Sequence, residues 1–156
     1  ALERGVIDAT EWIGPYHDTL RGFPKIAPYY YTCGWHEPGS TLELLINKAA
    51  WESLDEDLQA IVRICAEACD RRMYAQWMAK DAEAYAALKQ DPRLTIAPFP
   101  AEVAAVLRGH AVEVMAEVRA ASDLAREIHD AYFAFQKQFN AYQAAGEWPY
   151  VRMLPT

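Results

Sequence analysis

No stretch of this chain is apolar for anything near the ~20 residues that a membrane-crossing helix needs, and no basic stripe relieves its acidic character. The formal net charge is −7 and the isoelectric point about 5.1. A surface of that sign has no cluster of cations to displace counterions from a phosphate backbone, so nucleic acid is excluded as a partner. The first residues, ALERGVID, lack the cationic start and long apolar core of a secretory signal. They read as the tail of one helix running into a strand. With Ala1 in place of an initiator methionine, the expectation is a piece of a longer chain.

Cysteine is scarce. Cys33, Cys65 and Cys69 are an odd number, so at least one is unpaired. Cys65 and Cys69 are one helical turn apart, but no second Cys or His pair completes a zinc site. Both read as small buried apolar side chains. Catalytic signatures are missing too. There is no G-x-x-x-x-G-K-[ST] or G-x-G-x-x-G phosphate loop and no G-x-S-x-G nucleophile elbow. His36-Glu37 starts like a zinc-protease motif, yet Ser40 stands where its second His belongs and Pro38 breaks the helix it requires. No nucleophile is set beside a base, so the expectation is a protein that is not an enzyme.

What is present is a globular composition: 156 residues, 53% apolar and 24% charged, enough for one domain with a core. Residues 1–38 are dense in glycine, proline and aromatics and read as short strands and turns. GVIDATEWIGPYHD reads as an extended segment ending at Gly14-Pro15. In IAPYYYTCGW, a strand would put Tyr29, Tyr31, Cys33 and Trp35 on one face and Tyr30 and Thr32 on the other. TLELLIN, Thr41–Asn47, is a second strand candidate. Ser53-Leu54-Asp55-Glu56 has the form of a capping box. After it, Leu58, Ile61, Cys65, Ala68, Cys69, Met73, Trp77 and Met78 recur at helical spacing towards Gln90. LTIAPFP is another short strand. A helix follows Pro100, with Val103, Val106, Leu107, His110 and Val114 on one side. Another begins at Ser122-Asp123 and carries the stripe Leu124, Ile128, Tyr132, Phe135 and Phe139. His110 and His129 read as surface or packing residues. The expected organisation is a strand-rich ligand-site segment (1–52), a long helix (53–91), and a short strand with C-terminal dimerisation helices (92–156). So few strands make a poor sheet, and the missing ones are expected from elsewhere.

Two places combine a carboxylate with an indole at a strand end: Glu11-Trp12 and Trp35-His36-Glu37. Carboxylates and a main-chain carbonyl are hard oxygen ligands for Na⁺ or Ca²⁺, and tryptophans can wall water off a small ligand. The plainer alternative, commoner on chemistry alone, makes both Glu surface charges and both Trp core. His17, in the turn that follows, is a neighbour of either arrangement.

In this order, ALERGVIDATEWIGPYHD, YYYTCGWHEPGSTLELLIN, the long helix and the terminal EWPYVRML resemble the DctP-type periplasmic solute receptors of TRAP transporters. Within them, the resemblance is to the branch that binds 2-oxo acids or lactate with a metal ion. It covers essentially the whole chain, which would correspond to about the C-terminal half of such a receptor. It implies an α/β, helix-rich chain, part of a two-lobed type II periplasmic-binding-protein fold with long C-terminal helices. It implies Glu11 as a carboxylate ligand of Na⁺ or Ca²⁺, Trp12 as a main-chain carbonyl ligand, and Glu37 at the substrate, flanked by Trp35 and His36. It further implies a small carboxylate ligand, delivery to membrane permease subunits, a periplasmic location, and homodimers through the C-terminal helices. The family's substrate-clamping Arg and a further amide ligand belong to its upstream half. His36 departs from the aromatic that relatives carry there. A structural helical dimerisation module without a ligand is the rival reading; a metal-dependent lyase or hydrolase would need His17 or His36 as its base.

Overall fold

The computed structural model describes residues 1–156 other than Cys33, Pro38, Ser40, Thr41, Pro155 and Thr156. The expectations placed on Cys33 and on Thr41 therefore lie outside the described residues. Contacts divide the chain into two units, Ala1–Phe99 and Pro100–Thr156.

In the first unit, a 3-10 turn at Leu2–Arg4 leads through irregular chain to helix α1, Pro15–Arg21. No strand precedes Glu11, contrary to the expectation. A strand exists only against a hydrogen-bonded neighbour, and none lies beside residues 6–13 in the described structure. Pro15 is instead a helix opener at the first position, where its missing N–H costs nothing. Gly22 closes α1 in the left-handed conformation (φ 77°), and its N–H reaches the carbonyls of Asp18 and Thr19. After a second 3-10 turn at Phe23–Lys25 comes strand β1, Tyr29–Thr32.

β1 pairs in parallel with β2, Thr95–Pro98, in the register Tyr29 to Thr95 and Thr32 to Pro98. These two form the sheet of the described residues. Leu42–Asn47 is not a strand either: it has no pairing partner, and Leu42, Leu44 and Leu45 stand 64–88% exposed.

Helix α2, Lys48–Glu52, was not foreseen, and it takes the residues that mimic a capping box. Asn47 caps it by accepting the Ala50 N–H at 3.1 Å. Ser53 ends it, with its hydroxyl donating to the Ala50 carbonyl at 2.8 Å. Ser53 is thus already engaged, and the long helix α3, Glu56–Leu88, starts after Asp55 without a side-chain cap. Glu56 and Asp57 still place negative charge at its N-terminal dipole.

The less exposed stripe of α3 is Met73, Trp77, Asp81, Ala84, Tyr85 and Leu88, of which Trp77 and Asp81 meet α1. Leu88, 6% exposed, is the one buried apolar residue among those described. Further up the helix Ile61, Cys65 and Cys69 are exposed, which overturns the expected burial of both cysteines. The helical period is right, but no element of the described chain covers that stretch.

The second unit is an α-hairpin with a short extension: α4, Ala101–Ala120; α5, Asp123–Ala145; and α6, Glu147–Met153. Ser122 caps α5 by accepting the Ala125 N–H at 3.0 Å. Pro149 lies in the first turn of α6, where proline is tolerated. The packed faces differ from the expected ones. Ala104, Leu107, Ala111 and Met115 of α4 are partly covered, as are Ala125, His129 and Phe133 of α5. Ala104 and Ala111 let the helix backbones approach, with Leu107 and Met115 on the same face, and Val103, Val106 and Val114 lie outside it. His129 packs on Phe133, with ring centroids 4.4 Å apart, and His110 is exposed beside Glu113.

The accessible surface is 13268 Å². Two separate compact bodies sharing this mass would expose only about 9,500 Å². Exposed large apolar side chains, Leu45, Tyr74, Val112 and Phe135 among them, contribute to the excess.

The capping assignment is testable by urea denaturation. Asn47→Ala should cost about 1 kcal/mol, the usual effect of removing an N-cap acceptor. Asp55→Ala should cost only a few tenths, because its side chain accepts no cap bond.

Candidate functional site

Glu11 and His36, distant in sequence, meet: His36 Nε2 lies 3.6 Å from Glu11 Oε2, an ion-pair distance when the imidazole is protonated. The Glu11 side chain is 71% exposed, so this carboxylate is open to a ligand or ion. Trp35 packs edge-on against His36, with ring centroids 5.7 Å apart. Glu37 follows in the same exposed turn. Trp12 and Trp35 are 47% and 44% exposed, so neither is a core tryptophan.

The Trp12 ring turns towards α1. The Arg21 guanidinium lies 5.2 Å from its centroid, a cation–π contact. Together with Ile13, His17 and Leu20 these residues line an open cavity of about 410 Å³. His17 is half-buried between Tyr16 and Trp77, with centroids 5.0 and 4.9 Å away. Its Nδ1 is buried without a hydrogen-bond partner. A ring so enclosed is ill placed to serve as a base for an external substrate.

Helix α1 holds this arrangement, and its ties are residues that sequence reasoning passed over. Gly14 has no side chain to cap α1. Asp81 of α3 does so from across the interface, its Oδ1 accepting the Tyr16 N–H at 2.9 Å. A β-carbon on Gly14 would come within 3.1 Å of that carboxylate, so any larger residue would make Asp81 give by a few tenths of an ångström. Asp18, only 9% exposed, accepts the Tyr30 hydroxyl at 2.7 Å, which fastens α1 to β1. Burial raises the Asp18 carboxyl above its ordinary range, against the lowering effect of Tyr30. Burial and the neighbouring Asp18 push the Tyr30 phenol up as well. The available signal was Pro15 after Gly14, which opens helices as readily as turns.

As cation ligands, the Glu11 carboxylate and the Trp12 main-chain carbonyl are hard oxygens suited to Na⁺ or Ca²⁺. They are also too few, since Ca²⁺ takes six to eight oxygens. Among the described residues no three His, Cys, Asp or Glu gather as a metal cluster. The chemistry of these two groups is that of one side of a cation site, and the described residues do not supply the other.

A family model described as bacterial extracellular solute-binding protein, family 7 (DctP), matches residues 1–121. The chain belongs to this family. A monocarboxylate 2-oxoacid-binding periplasmic protein of Nostoc sp. (strain PCC 7120) is 32% identical over 150 residues, 96% of this chain and 41% of that protein. Among solved structures, the TRAP periplasmic solute-binding protein of Colwellia psychrerythraea with bound calcium and pyruvate matches at a TM-score of 0.93 and 37% identity. That of Pseudoalteromonas atlantica T6c with bound sodium and pyruvate matches at 0.92 and 35%. Each match covers 99% of this DctP-family chain and 47% of the solved one. The chain thus spans less than half the length of the relatives it matches. The expected family and the helix-rich α/β fold, part of the TRAP receptor fold, both stand.

The raised Asp18 carboxyl fixes the sign of a pH effect. The folded state holds this proton more tightly than the unfolded chain, so Asp18's contribution is greatest below the ordinary carboxyl range. It falls as pH rises through the raised value. Asp18→Asn keeps an acceptor for Tyr30 and removes the titration. Thermal unfolding followed from pH 4 upward should show the wild type losing stability relative to this variant as pH rises.

Proposed function

We propose that this chain is the C-terminal portion of a periplasmic TRAP solute receptor. The receptor binds a small 2-oxo or 2-hydroxy monocarboxylate through a bridging Na⁺ or Ca²⁺ and delivers it to membrane permease subunits. It acts by binding alone, without catalysis. The observation that carries this reading is the match of nearly the whole chain, at 37% identity and a TM-score of 0.93, to a receptor holding calcium and pyruvate. The exposed Glu11 carboxylate, with His36 and Glu37 nearby in the fold, supports it locally.

Glu11 contributes its carboxylate to the cation and Trp12 its main-chain carbonyl. Glu37, Trp35 and His36 form the ligand-facing turn, where the indole and imidazole limit access of water. The bound cation supplies the positive charge that lets an anionic ligand rest beside two glutamates in a chain of net charge −7. The family match weighs against a helical module with no ligand of its own.

The reading includes a homodimer formed through the C-terminal helices. Leu124, Ile128, Tyr132, Phe135, Phe139 and Tyr142 run at three- and four-residue spacing along α5, and each is 45–68% exposed. A continuous apolar stripe of this kind favours burial against a second copy.

Two measurements test these statements in the full natural chain. Pyruvate at about 100 times its Kd should stabilise the protein by roughly 2.7 kcal/mol, and only with Na⁺ or Ca²⁺ present. Glu11→Gln should abolish the cation requirement along with the shift; a Glu11→Gln protein with unaltered ion affinity would contradict the assignment. In sedimentation velocity, Phe135→Glu should convert dimer to monomer, and a wild type that sediments as a monomer at micromolar concentration rejects the dimer.

A further inference from the structure

The residues of the proposed site come from two stretches, Glu11-Trp12 and Trp35-His36-Glu37. Neither stretch is held in a helix or a strand. Their relative position is inherited from the elements they adjoin: Glu11-Trp12 runs into α1, and β1 runs towards Trp35. Among the described residues, the side-chain hydrogen bond that joins α1 to β1 is Tyr30 Oη donating to Asp18 Oδ2, at 2.7 Å. We propose that Asp18 and Tyr30 are positioning residues for the cation and carboxylate site, their buried bond setting the placement of Glu11 relative to His36 and Glu37. This inference rests on the functional reading above.

Three observations carry it. Asp18 is the one buried charged residue among those described. Burial raises its carboxyl despite the hydrogen bonds it accepts, so the group is costly where it stands. For stability alone, a well-packed apolar pair would serve as well or better. What a buried polar pair adds is a single permitted geometry, because a slip of α1 along β1 would leave both groups unpaired. The N-terminus of α1 is held separately by Asp81 at Tyr16 N. That bond fixes the start of the helix and leaves its angle to β1 to Asp18. The beginning of the site is brought close to its end in just this way, with Glu11 and His36 3.6 Å apart.

The test separates positioning from stability. In the full natural chain, Ca²⁺-dependent pyruvate binding is measured by calorimetry beside the melting temperature. Four proteins are compared: wild type, Asp18→Asn, the double variant Asp18→Leu with Tyr30→Phe, and Glu11→Gln. Asp18→Asn keeps the acceptor for Tyr30 and should bind within about twofold of wild type. The double variant should melt no lower than wild type, since both polar partners become apolar together. It should nevertheless bind pyruvate about tenfold more weakly. Wild-type affinity in the double variant overturns the proposal, provided Glu11→Gln has lost binding. Loss of affinity strictly in proportion to lost melting temperature, with Asp18→Asn equally impaired, also overturns it by making the pair merely structural. If Glu11→Gln binds like wild type, the site assignment itself fails.

Discussion

Helix α1 is seven residues long, far too short to persist on its own, yet both halves of the candidate site depend on where it lies. Contacts with α3 and β1 hold it. Asp81 of α3 satisfies its N-terminal Tyr16 N–H, Trp77 packs against His17, and Asp18 reaches Tyr30 on β1. The apolar contacts supply attraction without direction, and the two carboxylates supply direction. Each carboxylate has a specific donor, so α1 has one seat between α3 and β1. The irregular residues before it, Glu11 and Trp12 included, take their position from that seat.

The same junction explains the tolerance of a buried acid in a chain already carrying seven net negative charges. Asp18 is held with its carboxyl raised, and Tyr30 donates to it. At the exposed end, Glu11 faces His36, which shares its turn with Glu37. Carboxylates arranged this way repel an anionic ligand unless positive charge intervenes. The electrostatics of these residues and the calcium and sodium of the related receptors are therefore consistent with one another.

Much of the apolar surface is unfinished within the described structure. Among the described residues only Leu88 is a buried apolar side chain, while the middle of α3, the 42–46 stretch and the stripe of α5 remain open. Their spacing is that of buried elements, and the relatives are more than twice as long as this chain. Periodicity records which faces are meant to be covered; it does not say by what.

Local and tertiary information divided along that line. The long helices, the Ser122 cap, the β2 strand and the two carboxylate–aromatic pairs were legible because they depend on neighbours within a few residues. The period of α3 and the order of the DctP motifs were legible for the same reason. The strands expected before Glu11 and over residues 42–47 were not, because a strand needs a partner that the local sequence does not name. Ser53 resembled a cap but is taken up by α2, and Val103, Val106 and Val114 lie outside the packed face of α4. Above all, the meeting of Glu11 with His36, and the Asp18–Tyr30 and Asp81–Tyr16 bonds beneath it, could be decided only by the tertiary structure. They join residues far apart in sequence, and such a bond forms only when whole elements have been packed into place.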